Sequence, residues 1–378
     1  MDLAALRERR LHVQGLRHPF DASAAESVRR FGAVQAQEFV PAQLGLAQRV
    51  RAEARPDAAA VAADLDAGRI LRTHVLRPTW HFLHPDDARW VLELSAERVH
   101  RANGSMYRAT GVEGEVAARA VDVVAATVAG GHRTRAELTA ALAAADLPST
   151  GVPMAYVLMR AELECAVISG ANAGRQRTYA AFDERVPPSP RRDRDDALVE
   201  LATRFIASRG PATDRDFATW SGFTLTDTRR TFAEVVERAD AAGRPIATLD
   251  VDGVEHLVEA AALETPASAS PAEPAPRVDL LQAYDEYVMG YAPPRSYLHR
   301  VGDAGLHAEF PLHALMLDGV MVGRWAPPAA SGRPTVRIVP WMAFTPDQER
   351  SLAASVVELE RFLDTDLAVA VEPETAPG

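Results

Sequence analysis

Residues 70–85 read ILRTHVLRPTWHFLHP, and within them the spacing of apolar residues changes from a helical period to strict alternation. The alternation predicts two short strands joined by a tight turn. The segments before it, 21–35 and 56–69, keep helical spacing; the first starts at Asp21 and the second is stopped by Gly68. Short helices followed by such a ribbon predict a winged helix.

The same order recurs twice along the chain. Residues 117–165 contain three helical segments and are followed by β-like pieces up to residue 182, with Thr134 and Glu137 predicted to form a capping box. Residues 195–260 repeat the pattern and end in a hairpin around Asp252-Gly253. A Pro/Ala/Ser-rich linker, 264–277, then leads into a β-rich C-terminal region with a hairpin at Asp318-Gly319.

Composition limits the class of protein. With 378 residues and 47% hydrophobic residues, the chain is long enough for several cores, and no apolar run reaches transmembrane length. The N-terminus lacks the apolar region of a signal peptide. The single cysteine, Cys165, excludes an internal disulfide and a multi-cysteine zinc site. We therefore expect a cytoplasmic protein of two to four domains.

The basic residues of the chain are of an unusual type. The net charge is −11, which argues against a generic polyanion binder, and all 41 basic residues are arginine. Without lysine, no side chain can form a Schiff base. Any phosphate contact has to come from arginine or from backbone N–H groups.

Two amides, Gln35 and Gln37, stand in an otherwise apolar run. On a helix they would point about 200° apart, so they could serve one site only if the chain leaves helical geometry after Val34; Pro41 favours such a break because it disfavours helix at Val40. One interpretation is a pair of surface amides at a helix end. The other is a pair that holds a water molecule or a substrate edge, since an amide offers both a donor and an acceptor.

The second interpretation restricts the chemistry. Amides cannot ionise a water molecule, so the substrate has to bring its own driving force. A cationic leaving group supplies it: in an N7-alkylated purine nucleotide the positive charge weakens the glycosidic bond, and no general acid is needed.

The alternating stretch divides into two faces if residues 77–82 form a strand. Arg77, Thr79 and His81 would share a polar, cationic face opposite an apolar face with Trp80. This predicts either a wing hairpin with a solvated face or a surface that recognises phosphate or substrate.

Two further groups give weaker signals. The trio His74, His81 and His84 matches no familiar spacing of metal ligands. Asp285 and Glu286 are adjacent carboxylates between tyrosines, suited to acid/base work or, equally, to a structural role.

Taken in order along the chain, five motifs resemble the winged-helix DNA glycosylase family that includes the azinomycin-resistance glycosylase (AlkZ-like proteins). They are VQAQ (34–37), LRPTWHFLHPDD (76–87), GPATDRDFATWSG (210–222), YDEYVMGY (284–291) and LDGVMVGRW (317–325). The resemblance implies an α+β, mainly α fold: three tandem winged helix-turn-helix domains followed by a C-terminal β-barrel-like domain. The expected boundaries are 1–100, 101–190, 191–265 and 278–370.

The resemblance also implies a function. Gln35 and Gln37 would occupy the catalytic Gln-x-Gln signature, which favours the antibiotic-resistance branch, and the substrate would be N7-alkylguanine in double-stranded DNA, including bulky adducts and interstrand crosslinks. We expect base excision without strand cleavage, no cofactor or metal, no membrane partner and a monomer. The expected DNA contacts, from helix starts and wings, are Arg30, Arg72, Arg77, Thr79, His81, Arg108, Arg133, Arg135 and Arg177.

Two other classes of protein fit the same fold. One is a winged-helix transcriptional regulator that binds DNA without catalysis, and the other is a protein-interaction scaffold with no salt-dependent affinity for DNA.

Overall fold

The computed structural model describes residues 1–174, 176–264, 275–299, 313–329 and 331–372. These residues form a mixed α+β protein in which helices predominate, as predicted. Most of the predicted linker at 264–277 lies outside them. No helix in the described ranges is both long and apolar enough to cross a membrane. The chain divides into two compact units: unit 1 comprises Met1–Ser27, Glu38–Val61 and Ala202–Gly378, and unit 2 comprises Val28–Gln37 and Ala62–Leu201.

Unit 2 contains two antiparallel three-stranded sheets of the same topology, in which a short first strand pairs with the third strand and the third with the second. The first sheet consists of β1 (Val34–Gln35), β2 (Leu71–Val75) and β3 (Thr79–Leu83), and the second of β4 (Arg133–Thr134), β5 (Val167–Ser169) and β6 (Thr178–Ala181). Its helices are α5 (Pro85–Ala102), α6 (Gly104–Thr110), α7 (Gly114–Val128), α8 (Arg135–Ala144), α9 (Gly151–Leu163) and α10 (Phe182–Arg185). Three helices lie across the boundary between the units: α2 (Ala24–Phe31), α4 (Ala58–Asp66) and α11 (Arg194–Arg209).

Apolar periodicity explains the core of unit 2. In α7 the buried residues recur every three or four positions, which places one stripe against α8 and α9. The predicted capping box at the start of α8 is confirmed, since Thr134 accepts from the Glu137 backbone N–H and the Glu137 side chain accepts from the Thr134 N–H.

Unit 1 holds a five-stranded sheet in the order β13-β12-β11-β10-β9. All of its pairs are antiparallel except β12 with β13. Among the described residues β9 and β13 form its two edges, so the part that is described is an open sheet. The strands are β9 (Val278–Leu281), β10 (Ala314–Leu317), β11 (Val320–Ala326), β12 (Thr335–Pro340) and β13 (Ala368–Val371). The remaining elements of unit 1 are α1 (Leu3–Val13), α3 (Phe39–Ala47), α12 (Asp214–Ser221), α13 (Leu225–Ala241), β7 (Ile246–Val251), β8 (Val254–Glu259), α14 (Ala261–Glu264), α15 (Glu286–Met289) and α16 (Pro346–Leu363).

One order of elements occurs three times along the chain: helix, short strand, two helices, hairpin. It occurs at α2 to β3, at α7 to β6 and at α11 to β8. In the third occurrence the short strand is reduced to one bridge, in which Ala212 and Leu257 exchange backbone hydrogen bonds of 2.9 and 2.8 Å. The hairpins predicted at Asp252-Gly253 and Asp318-Gly319 are confirmed, and both residues of each turn have positive φ.

The adjacent acids of unit 1 are buried. Asp285 binds the Arg49 guanidinium through both oxygens, at 2.8 and 3.0 Å, and Glu286 accepts from Arg209 at 2.7 and 3.0 Å and from the Trp220 ring N–H at 3.0 Å. Burial alone would lower the pKa of Arg49, but the charge and hydrogen bonds of Asp285 outweigh it and the pKa is raised. Acid/base work and a structural role were both open for Asp285 and Glu286, and this geometry favours the structural role.

Candidate active site

The two glutamines stand on an extended segment, not on a helix. The prediction that helical spacing continues through Val34 is wrong: α2 ends at Phe31, and Gly32 takes a positive φ of 75° that turns the chain into β1. Extended geometry continues beyond Gln35, because the Ala36 N–H donates to the Trp80 carbonyl at 2.8 Å. Gln35 lies on β1 and Gln37 follows just past the end of that strand, so both amides lie beside β3 and neither lies on a helix.

A row of polar side chains crosses the sheet on the face that carries Gln35. Gln35 lies opposite His81 on β3, and His81 lies opposite Thr73 on β2. All three are buried, at 3%, 0% and 0% exposure respectively. Gln37 is exposed, and Thr79 lies two residues before His81 on the same face. The face is therefore polar, but around His81 it is buried rather than solvated.

Arg77 determines how the Gln35 amide is oriented. Its Nη2 donates to Gln35 Oε1 at 3.1 Å. Because a guanidinium has only donors, the oxygen of the amide has to face Arg77, which directs the NH₂ group elsewhere. The predicted strand 77–82 in fact begins at Thr79, so Arg77 acts from the turn that follows Leu76, where φ is 60°.

The exposed Gln37 amide and the buried His81 imidazole have defined partners as well. The Trp80 backbone N–H points at Gln37 Oε1 across 3.5 Å, a long contact. His81 Nδ1 lies 3.0 Å from the Thr79 carbonyl oxygen. A carbonyl only accepts, so Nδ1 carries the proton of this hydrogen bond.

Arg72 lies on the opposite face of the same sheet. Only 4% of its surface is exposed, and its Nε and Nη2 donate to the Ala36 carbonyl at 3.1 and 2.9 Å. Its guanidinium carbon stands 4.1 Å from the centre of the Trp80 ring. Burial lowers the pKa of Arg72 to about 9, and the charge of Arg177 adds to the shift.

The remaining predicted DNA contacts are spread over unit 2. Arg108, Arg135 and Arg177 are exposed, while Arg30 and Arg133 are half-buried. The Arg30 guanidinium carbon lies 4.4 Å from the Phe31 ring centre, and Arg133 Nε donates to the Thr127 carbonyl at 3.1 Å. Arg135 and Arg72 both act electrostatically on Tyr179, whose pKa burial raises to about 12. The structure thus groups Arg72, Arg135 and Arg177 around the second sheet and places Arg77 beside Gln35.

The histidine trio is divided by the sheet. His74 pairs with Trp80 and His81 with Thr73, so the first two histidines lie on opposite faces. His74 Nδ1 instead contacts Glu162 Oε2 at 2.5 Å. In the ranges that the structure describes, no group of three or more His, Cys, Asp or Glu residues is arranged to hold a metal ion.

Sequence patterns did not reveal three of these relationships: the Arg77–Gln35 hydrogen bond, the Arg72–Ala36 hydrogen bonds, and the contact of Glu162 with His74. One signal for Arg72 was present, since the alternation places this arginine on the apolar face with Trp80 and Phe82. A cation at such a position needs a buried partner.

Comparison with known proteins gives one family. A family model described as DNA glycosylase AlkZ-like matches residues 28–362. The interstrand DNA cross-link repair glycosylase of Streptomyces sahachiroi is 26% identical over an alignment of 296 residues that covers 74% of this chain and 75% of that protein. The solved structure of Streptomyces sahachiroi DNA glycosylase AlkZ has a TM-score of 0.77 at 21% identity and covers 99% of this chain and 100% of that one. At this identity the structural likeness shows a common fold.

Proposed function

Because the chain belongs to the AlkZ-like DNA glycosylase family, we propose that it hydrolyses the N-glycosidic bond of N7-alkylguanine in double-stranded DNA, with Gln35 and Gln37 as its catalytic residues. The observation that carries the proposal is the non-helical course of the Gln-Ala-Gln segment beside β3. It brings both neutral amides next to that strand, one of them hydrogen-bonded by Arg77 and the other exposed.

In the proposed reaction the water oxygen bonds to C1′ while the C1′–N9 bond breaks. The bonding electron pair moves into the alkylated base, neutralises its positive charge and releases it without a general acid. The exposed Gln37 amide holds the water, and the Gln35 amide beside it contributes to the orientation of that water. The water proton leaves to solvent. Oriented dipoles of this kind stabilise a charged, oxocarbenium-like transition state without having to reorganise.

We propose that the three repeats of helix, short strand, two helices and hairpin are the three tandem winged helices, with the C-terminal sheet as part of the barrel-like domain. Among the predicted contacts, duplex DNA would reach those arginines of unit 2 that are exposed to solvent. Arg108, Arg135 and Arg177 fit this role best because they are exposed. Arg30, Arg77 and Arg133 would act at the margin of the surface, with Thr79 beside them. His81 is 0% exposed, so the expectation that it contacts DNA is replaced by a supporting role beneath Gln35.

The relative from Streptomyces sahachiroi is named for repair of interstrand DNA cross-links. We extend the substrate range of this chain to bulky N7-guanine adducts and crosslinks on that basis. Such lesions carry the same cationic leaving group, so the same two amides suffice. The biological role would be DNA repair or resistance to a self-made genotoxin.

The test uses a duplex with a single N7-methylguanine and alkaline cleavage of the abasic product. Wild-type protein should release the base, and Gln35→Ala and Gln37→Ala should each lower the single-turnover rate by about 10²- to 10³-fold. Gln176→Ala, which removes an exposed amide outside this segment, is the matched control and should keep the full rate.

The same experiment separates the rival classes. A protein that binds the duplex with salt-dependent affinity but releases no base is a non-catalytic regulator. A protein with no salt-dependent affinity is an interaction scaffold. Either result would overturn the proposed function.

A further inference from the structure

Arg72, on the face of the sheet opposite Gln35, hydrogen-bonds the backbone of the Gln-Ala-Gln segment. The inference drawn from this contact rests on the function proposed above. We propose that Arg72 is a positioning residue: by hydrogen-bonding the Ala36 carbonyl, it sets the angle between Gln35 and Gln37 and so places the attacking water. It would do so without touching DNA, which replaces the expectation that Arg72 contacts a phosphate.

Ala36 is fixed at both of its peptide groups. Its N–H, in the plane shared with Gln35, donates to the Trp80 carbonyl at 2.8 Å. Its C=O, in the plane shared with Gln37, accepts from Arg72 Nε at 3.1 Å and Nη2 at 2.9 Å. With both planes held, the two soft dihedral angles of Ala36 are determined. These angles decide how the side chains on either side are directed relative to each other.

A second layer holds Arg72 itself. The Arg72 backbone N–H donates to Ser169 Oγ at 2.8 Å, and its guanidinium lies over the Trp80 ring. His74 also lies against that ring, at 3.8 Å between ring centres. His74 is in turn held by Glu162, whose side chain is fully buried. The hydrogen-bonded fork therefore has little freedom to rotate.

The alternative role, a phosphate contact, needs an exposed guanidinium. With 4% exposure, Arg72 presents almost no surface to a ligand. Burying a cation is costly in free energy, and the lowered pKa of Arg72 reflects that cost. An apolar residue would fill the same space beside Trp80 more cheaply. The presence of an arginine here is explained if the N–H groups of its planar guanidinium are needed at the Ala36 oxygen.

The first arm of the test compares Arg72→Met with wild type. A small misplacement of catalytic groups costs about 10²-fold in rate, so we expect the single-turnover rate for N7-methylguanine release to fall by about that factor. Affinity for undamaged duplex should stay within about twofold, since no phosphate contact is lost. Arg119→Met removes an exposed arginine charge from α7 that is not among the proposed DNA contacts, and it should leave rate and affinity unchanged.

The second arm does not depend on catalysis. Hydrogen exchange followed by mass spectrometry should show faster exchange in the peptide containing residues 33–38 of Arg72→Met, and the same exchange as wild type in Arg119→Met. If Arg72→Met does not fold, Arg72→Ala and Arg72→Lys replace it. Added methylguanidinium should restore part of the excision rate of Arg72→Ala, whereas methylammonium should not, and Arg72→Lys should stay impaired because it has no fork.

The outcomes separate cleanly. Weaker DNA affinity with a normal rate at saturating protein would make Arg72 a DNA contact and overturn the inference. Unchanged exchange in residues 33–38 together with a normal rate would also overturn it. If wild type releases no base, the proposed function fails, and the role of Arg72 in positioning catalytic groups fails with it. If wild type releases the base and only Arg72→Met is slower, the result bears on the inference and not on the proposed function.

Discussion

Replacing Asp285 by asparagine should destabilise unit 1 strongly while leaving the chemistry intact. The side chains of Arg49 and Asp285 are 3% and 1% exposed and meet through two hydrogen bonds. Asp285 Oδ1 also accepts from the Tyr287 backbone N–H at 2.8 Å and caps α15. Asp285→Asn keeps the shape but leaves the Arg49 charge buried without its carboxylate.

The magnitude follows from that burial. Removing one partner of a buried ion pair costs about 3–5 kcal/mol, because the remaining ion keeps its desolvation penalty and loses the attraction that offset it. For a folded unit of this size each kcal/mol lowers the melting temperature by about 2–4 °C, so the expected decrease is about 6–20 °C. The double variant Arg49→Met/Asp285→Leu removes both charges and should lose much less stability than the two single changes summed.

Calorimetry at neutral pH measures the decrease, and hydrogen exchange assigns it to peptides within residues 38–61 and 282–298. Glu97→Gln is the matched control: it makes the same carboxylate-to-amide change in the exposed Arg101–Glu97 pair, where both side chains are more than 70% exposed. There the change should cost less than about 1 kcal/mol.

Activity decides whether Asp285 has a second role. Below its melting temperature, Asp285→Asn should release N7-methylguanine at the wild-type rate. A loss of stability under 1 kcal/mol would refute the electrostatic reasoning, and a folded variant with a large loss of rate would assign Asp285 to acid/base work instead.

Three further expectations concern other parts of the molecule. Borohydride should trap no covalent complex with DNA that contains abasic sites, because the chain has no lysine to form a Schiff base, and a trapped complex would show that another amine reacts. Burial raises the pKa of Cys165 to about 12, so iodoacetamide at pH 8 should label the denatured protein and leave the native protein unmodified by mass spectrometry. Gly319→Ala should cost about 1–3 kcal/mol in urea unfolding, since φ there is 75° and a Cβ would lie 2.7 Å from Leu11 Cδ1 and from the Tyr287 hydroxyl. Gly253→Ala, at a φ of 79° with open space around it, should show only the smaller cost of backbone strain.

Local signals accounted for much of the fold. The capping box at Thr134, the turns at Asp252-Gly253 and Asp318-Gly319, and the two strands of residues 70–85 depend on interactions within a few residues, which a sequence displays directly. The helix predicted through Val34 failed because one backbone angle at Gly32 overrides the helical spacing around it.

Relationships over long sequence separations were beyond such reasoning. Arg72 and Ala36 lie 36 residues apart, and Arg49 and Asp285 lie 236 apart. Periodicity assigns a side chain to a face, but the partner that makes a buried charge tolerable comes from another element. The motif containing Asp285 could therefore be noticed in the sequence, whereas its role as a buried anchor required the structure.

The need of a buried charge for a partner also explains why amides rather than carboxylates stand at the proposed active site. Gln35 is 3% exposed and within hydrogen-bond distance of Arg77. A carboxylate there would form a buried ion pair with the guanidinium, and its oxygens would be engaged by that cation rather than by water. A neutral amide gives Arg77 its oxygen without adding a second charge beside the guanidinium. Because an amide pair cannot generate hydroxide, the proposed reaction proceeds only where the base is already a cationic leaving group, which is how unmodified guanine in the same duplex would be spared.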